Sequence, residues 1–305
     1  MKVFYCDHFE LPLPAGHRFP IDKYRLARER VRDELGKRIE LFSAPAATRD
    51  QLTRIHNADY VEQVFVGNLS DLAQKRIGFP WSPKMLERSL RSTGATIAAA
   101  QVALTDGISA HLSGGTHHAF SEEGQGFCVF NDVAVAAGQL LIDKQARKIL
   151  VVDLDVHQGN GTASIFRHHD TVFTFSMHGN RNYPFRKTEG DLDIGLADGM
   201  DDEEYLQILD EAFGQRLPLS DAEFCFYIAG ADPYKGDRMG RLALTKVGLQ
   251  RRDEYVIGCL QDLGIPTTVV MGGGYAAVED VAEIHANTIE VALRSFEMRG
   301  PNTGG

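Results

Sequence analysis

Clustered cysteines are missing from this chain. Cys6, Cys128, Cys225 and Cys259 are scattered over 305 residues and never form C-x-x-C, which argues against a zinc ribbon or a disulfide framework. No run approaches the roughly 18 apolar residues of a membrane span, and Met1 to Asp7 lacks the apolar core of a secretory leader. A reducing, cytoplasmic location is therefore expected, with no membrane partner. There is no Lys/Arg stripe, and the net charge of −10 speaks against a nucleic-acid partner, which needs cations against phosphates. Excess acid favours cationic substrates, although it serves solubility as often. Gly124-Gln125-Gly126 and Gly159-Asn160-Gly161 lack a third glycine at the spacing of a dinucleotide fingerprint. The absence of a P-loop and of G-x-S-x-G sets aside nucleotide-binding and serine-hydrolase chemistry.

What is present is an ordinary globular composition, 43% hydrophobic and 24% charged, with nothing to divide it into two units. Residues 1–298 are expected to form one domain, and the Gly/Asn/Pro tail 299–305 to be poorly ordered. Residues 2–6 read as a strand, and 22–37 as a helix carrying Tyr24, Ala27, Val31 and Leu35 on one face. The loop between them holds three prolines and His17, which reads as a surface residue. Ile39–Ser43 reads as a strand, Thr48–Val66 as one or two short helices, and Asn68–Trp81 as irregular, with Trp81 packing rather than forming a substrate rim. Ser82-Pro83 is a helix start, and the helix continues to about Leu104.

From residue 108 a strand, a polar or glycine-rich turn and a helix repeat four times. Ile108–Ser113 leads into Gly114-Gly115-Thr116-His117-His118, and Lys148–Leu154 into Asp155-Val156-His157. Phe224–Ala229 leads into Gly230-Ala231-Asp232-Pro233, and Thr267–Met271 into Gly272-Gly273-Gly274-Tyr275. A further strand, Val172–Met177, ends near Ser176 and His178. This alternation predicts a parallel α/β sheet, and the carboxyl ends of its strands share one edge where ligands bind.

The central stretch is Asp153-Leu154-Asp155-Val156-His157, after the apolar run 149–152. If the backbone stays extended to His157, alternation puts Asp153, Asp155 and His157 on one side. Two carboxylates and an imidazole are expensive to bury together unless a cation sits among them. Asp155 and His157 supply two metal ligands, and Asp232 a third, leaving the fourth position open as in a catalytic site. His117 and His118 offer a base and an acid, Tyr275 an oxyanion donor, and Asp153 a carboxylate that fixes a histidine tautomer. Each feature alone has a plainer explanation, as a surface histidine pair, a flexible turn or a helix cap, but together at successive strand ends they point to metal-assisted hydrolysis.

The ordered motifs at 114–118, 126–132 (Gly-Phe-Cys-Val-Phe-Asn-Asp), 153–161, 230–233, 236–240 (Gly-Asp-Arg-Met-Gly) and 272–275 resemble those of the zinc-dependent histone deacetylase family, especially its class IV-type and bacterial members. The resemblance runs from about residue 2 to 295. It implies the arginase/deacetylase fold, a mostly parallel sheet with helices on both faces, and hydrolysis of an acyl amide on a lysine-like amine. It assigns Asp155, His157 and Asp232 to one Zn2+, with Fe2+ as an alternative ion. It gives His117 and His118 to proton transfer, Tyr275 to the oxyanion and Asp153 to His117, and it sets Phe127 and Tyr183, with Gly126 and Gly273, around an acyl-lysine tunnel. It also implies a structural K+ held by Asp153, Asp155, His157, Ser176 and Met177.

One departure is Asn160, where many family members back the second histidine with aspartate; an amide orients His118 but leaves it less basic. A second is that Gly159 and Tyr234 stand where the related two-manganese ureohydrolases carry carboxylates, so one metal is expected. The substrate is expected to be an acylated lysine in a peptide or protein. A small acylamine such as an acetylpolyamine is the alternative, and a non-catalytic acyl-lysine binder fits less well because it needs neither Tyr275 nor the histidines. Acyl length and oligomeric state are not written in these motifs.

Overall fold

Continuous apolar runs make a parallel sheet when helices cover both faces, and the computed structural model, which describes residues 1–299, has this arrangement. The amino-terminal part comprises β1 (Lys2–Tyr5), α1 (Asp22–Leu35), β2 (Glu40–Ser43), α2 (Arg49–Thr53), α3 (Ala58–Val66), α4 (Asp71–Ile77) and α5 (Pro83–Asp106). Then come β3 (Ile108–His111), α6 (Asp132–Ile142), β4 (Ile149–Asp153), α7 (Asn160–Phe166), β5 (Val172–Gly179) and β6 (Leu192–Leu196). The carboxyl-terminal part is α8 (Asp202–Gln215), β7 (Phe224–Ala229), α9 (Lys246–Asp262), β8 (Thr267–Met271) and α10 (Val278–Arg299). The expected disordered tail falls on residues 300–305, which lie outside the described residues, and α10 itself runs to Arg299.

The eight strands form one sheet in the order β2-β1-β3-β8-β7-β4-β5-β6, and every pairing is parallel. Side-chain alternation divides the core in two. Leu150 and Val152 of β4 and Cys225, Tyr227 and Ala229 of β7 pack with α1, α8, α9 and α10. Ile149, Val151, Phe224, Phe226 and Ile228 pack on the other side with α3, α5 and α6. The chain leaves β4 and β3 toward the second face, and β7 and β8 toward the first. Neighbouring strands therefore diverge between β4 and β7, and again between β3 and β8, which opens a crevice at their carboxyl ends.

Three local expectations change. Residues 68–81 are not irregular throughout, because α4 lies within them, capped by the Ser70 side chain, which accepts from Ala73 N at 3.2 Å, and closed by Gly78 at φ 86°. Seven residues are too few to display a helical period. The strand β6 was not foreseen; its Leu-Asp-Ile-Gly-Leu alternation is that of an edge strand with mixed faces. The first helix ends at Leu35 and gives way to a tighter turn over Gly36–Arg38. Trp81 does pack, its indole donating to the Val64 carbonyl at 2.8 Å. All four cysteines are unpaired, and no described helix is long and apolar enough to cross a membrane.

Candidate active site

The strand β4 stops at Asp153, so the expected extension to His157 does not occur. Instead each acid turns the chain locally, Asp153 Oδ1 accepting from Asp155 N at 3.1 Å and Asp155 Oδ1 from His157 N at 2.9 Å. These turns still bring the side chains to the crevice. His157 Nδ1 lies 2.9 Å from Asp155 Oδ1 and 3.1 Å from Asp232 Oδ2. One ligand atom from each of the three residues falls within 4.8 Å of the others, and all three are buried.

Such a cluster is unstable to its own charge without a cation. Burial and the neighbouring Asp155 carboxylate push Asp232 up to about 7. Burial opposes charge on His157 as well, but its contacts to Asp155 and Asp232 prevail and raise it to about 10. Burial likewise works against Asp155, which His117 and His157 nonetheless hold well below the usual carboxylate range. The proton on His157 thus supplies the positive charge this donor set demands, and two carboxylates with one imidazole suit a divalent ion in that place.

The backbone around these three residues is fixed from behind. Asp232 Oδ1 accepts from Val156 N at 2.8 Å, and Gly273 N donates to Asp155 Oδ2. A Cβ at Gly273 would come 1.9 Å from Asp232 Oδ2, so only glycine allows this strand end to close on Asp232. Arg252, fully buried on α9, donates to the Gly230 carbonyl at 2.7 Å and the Leu154 carbonyl at 3.2 Å. It ties together the ends of β7 and β4, the two strands that lead into Asp232 and Asp155.

His117 and His118 enter from the end of β3. His117 Nδ1 lies 2.6 Å from Asp153 Oδ2, and His118 Nδ1 lies 2.7 Å from Asn160 Oδ1. Burial disfavours charge on both rings. Asp153 and Asp155 outweigh it for His117, which rises to about 9, while His118, beside the positive His117, falls well below the ordinary value. The loop that carries them is folded around buried Asp132, which accepts from Thr116 N at 2.8 Å and Gly115 N at 3.2 Å. Tyr275 enters from the end of β8. Burial, together with Asp232 and Asp155, holds its phenol well above the ordinary value, so it remains a donor. Its backbone N–H is held by Asp237 Oδ2 at 2.6 Å.

His117, His118, Asp155, His157, Gly126, Phe127, Gly273 and Tyr275 share one cleft. Its mouth, about 310 Å³, adds Tyr183. The Tyr183 ring stands edge-on to His118 at 4.9 Å, and Phe127 lies 6.2 Å from Tyr275. Phe127 holds φ 66°, a conformation that non-glycine residues rarely adopt and that is found at functional loops. At the proposed potassium position, Asp153 and Ser176 are register partners on β4 and β5, with Met177 following, and Ser176 Oγ is 2.9 Å from His178 Nδ1.

The profile of the histone deacetylase domain matches residues 17–292. The chain belongs to the histone deacetylase family. An uncharacterised protein of Picosynechococcus sp. is 42% identical over 93% of this chain and 95% of its own length. Histone deacetylase 2 of Arabidopsis thaliana is 28% identical over 95% of this chain and 78% of its own. In fold, the chain superposes on a histone deacetylase homologue from Aquifex aeolicus with a TM-score of 0.81, at 23% identity, covering 95% of this chain and 83% of that one. The protein is a hydrolytic deacetylase with the arginase/deacetylase fold, in a family that is generally metal-dependent.

Three residues of this deacetylase site escaped the sequence reading. Asp132 and Asp237 lie inside motifs quoted for the family resemblance, yet neither was given a part. Arg252 carried no signal at all, because Arg-Arg-Asp-Glu on an amphipathic helix reads as a solvated face. His17 sits closer to the site than a surface histidine does, with Nε2 2.9 Å from the Gly78 carbonyl and its ring 5.9 Å from Phe127.

Proposed function

We propose that this deacetylase is a zinc-dependent, cytoplasmic enzyme that removes an acyl group, acetyl or longer, from the side-chain amine of lysine. The observation that supports this most is the convergence of Asp155, His157 and Asp232 on one point beside His118 and Tyr275. A divalent cation held by those three residues supplies Lewis acidity toward an acyl oxygen and a water. Ferrous iron would satisfy the same donors.

The chain's own groups complete the reaction. His118 donates a hydrogen bond through Nδ1–H to Asn160 Oδ1 and keeps Nε2 free as an acceptor. It takes a proton as water adds to the acyl carbon, and returns it to the amine as the C–N bond breaks, leaving a carboxylic acid and an amine that depart as carboxylate and ammonium after the acid proton passes to the amine. Tyr275 donates its O–H to the oxygen that gains negative charge. His117, kept protonated by Asp153, places a positive charge beside that oxygen. Phe127 and Tyr183 flank the lysine's methylene stem, with Gly126 and Gly273 leaving room for it. Beneath the site, Asp153, Asp155, His157, Ser176 and Met177 are assigned to a structural potassium ion.

The test is release of free amine by zinc-loaded protein from acyl-lysine peptides graded in chain length, with acetylpolyamines alongside. Tyr275→Phe is expected to lower turnover about 100- to 1000-fold, equivalent to about 2.7–4 kcal/mol. Asp232→Ala is expected to lose metal, measured by elemental analysis, together with activity. Unimpaired turnover by Tyr275→Phe would remove the oxyanion role. Cleavage of acetylpolyamines alone would move the substrate to small amines.

A further inference from the structure

The surface around the mouth contradicts the charge of the whole chain. The chain carries 42 acidic against 32 basic residues, which taken alone favours a cationic substrate. Yet the mouth is lined by Arg18, Lys75 and Arg76, and an adjoining depression of about 500 Å³ adds Arg238. The two hollows share Arg18, Met239 and Tyr275, so they form one continuous trough over the catalytic tyrosine. No aspartate or glutamate lines either hollow among the described residues.

These cations are also largely unopposed. Arg76 has Glu123 as an ion-pair partner. No ion pair is made by Arg18, Lys75 or Arg238 among the described residues, and all three are exposed. Arg18 instead lies over the Phe127 ring, 5.8 Å from its centre, on the tunnel wall itself. Elsewhere on this surface arginines are habitually paired, as in Arg28 with Asp7 or Arg147 with Glu223. Unpaired like charges around one opening repel each other, and the field they make is concentrated by the low-dielectric walls.

We infer that the substrate is an acyl-lysine set in an acidic peptide segment, with carboxylates on both sides of the modified residue. This rests on the deacylase reading above and names its substrate class. The cations come from three separate segments, the loop before α1, the end of α4 and the loop after β7. A chain crossing the trough therefore meets positive charge before and after the lysine that enters the tunnel. A polyamine, or a tail rich in lysine and arginine, brings its own positive charges against the same groups.

The experiment uses zinc-loaded protein and three acetyl-lysine peptides of equal length whose flanking residues are Glu/Asp, Ser/Gly or Lys/Arg, together with acetylspermidine. At low salt the acidic peptide is expected to exceed the basic one in kcat/KM by about tenfold, because exposed charges steer association, and the ratio should shrink as salt screens them. The double variant Lys75→Glu/Arg238→Glu is expected to bring that ratio to one or below. Taking the ratio within each variant cancels any change in folded fraction. Equal cleavage of all three peptides, preference for the basic one, or a preference untouched by the double variant would each overturn the inference while leaving the deacylase reading intact. Cleavage of acetylspermidine with none of the peptides would overturn the inference together with its lysine substrate. No release from any substrate would instead strike at the deacylase reading itself.

Discussion

His117 and His118 are consecutive, equally buried, and have ring centres 4.1 Å apart, yet they sit in opposite electrostatic settings. The ring backed by Asp153 is raised to about 9, and the ring backed by Asn160 is held well below the ordinary value. Since desolvation presses on both alike, the partner across Nδ1 decides the outcome. A carboxylate holds an imidazolium in place, while an amide only orients a neutral ring. One dipeptide thereby acquires two different electrostatic states, a charged ring and a neutral one, from residues 36 and 42 positions further along the chain.

The contrast is broken most severely at Asp153. Asp153→Asn leaves both rings with amide partners and weakens the turn through which Asp153 Oδ1 holds Asp155 N. Loss of such a supporting carboxylate is expected to lower activity or metal affinity about 10- to 100-fold. Steady-state kinetics beside zinc titration would separate the two effects. Activity and affinity both at the parent level would show that the charge on His117 is idle.

Much of this arrangement is legible in the sequence. The β-branched run at 149–152 and the repeated strand, turn and helix units after residue 108 gave the parallel sheet, because continuous apolar strands need cover on both faces. Once strand ends share an edge, His117, Asp155, Asp232 and Tyr275 must meet there. What remained hidden depended on distance through space. Arg252 is indistinguishable in sequence from the exposed Arg251 beside it, which pairs with Glu203, yet it is fully buried and joins the Leu154 and Gly230 carbonyls. The basic trough was equally invisible, since Arg18, Lys75 and Arg238 are far apart in a chain of net charge −10. Short α4 is hidden because seven residues are too few to express a helical period, and edge strand β6 because Asp193 and Gly195 interrupt its apolar residues.

A gentler change sharpens the contrast from the other side. Asn160→Asp gives His118 a carboxylate of nearly the same shape and is expected to raise its basicity. A base must be unprotonated to act, so raising its pKa makes activity disappear at a higher pH on the way down. The acidic limb of kcat/KM should move upward in pH relative to the parent. An unmoved acidic limb would show that another group is the base.

A last effect, on stability rather than activity, concerns a third histidine, outside the His117–His118 pair, whose titration should oppose that of His117. His56 lies 2.9 Å from the Phe120 carbonyl through Nδ1, and Nε2 accepts from Asn131 N at 3.0 Å, so it serves as donor and acceptor at once and must be neutral. Burial lowers it to about 4. The unfolded chain, with an ordinary histidine near 6.5, binds more protons between those values, so this group's contribution to stability is present above pH 6.5 and is lost as pH falls toward 4. At pH 5 the loss is about 2 kcal/mol. His117 works in the reverse sense, its raised value favouring the folded state at low pH and releasing that contribution as pH rises through about 9. Urea unfolding at pH 7 and pH 5 should therefore show a smaller drop in stability for His56→Gln than for the parent, by about that amount. Parallel drops in the two proteins would mean that His56 is protonated in the folded chain and that its contact with Asn131 N is not maintained.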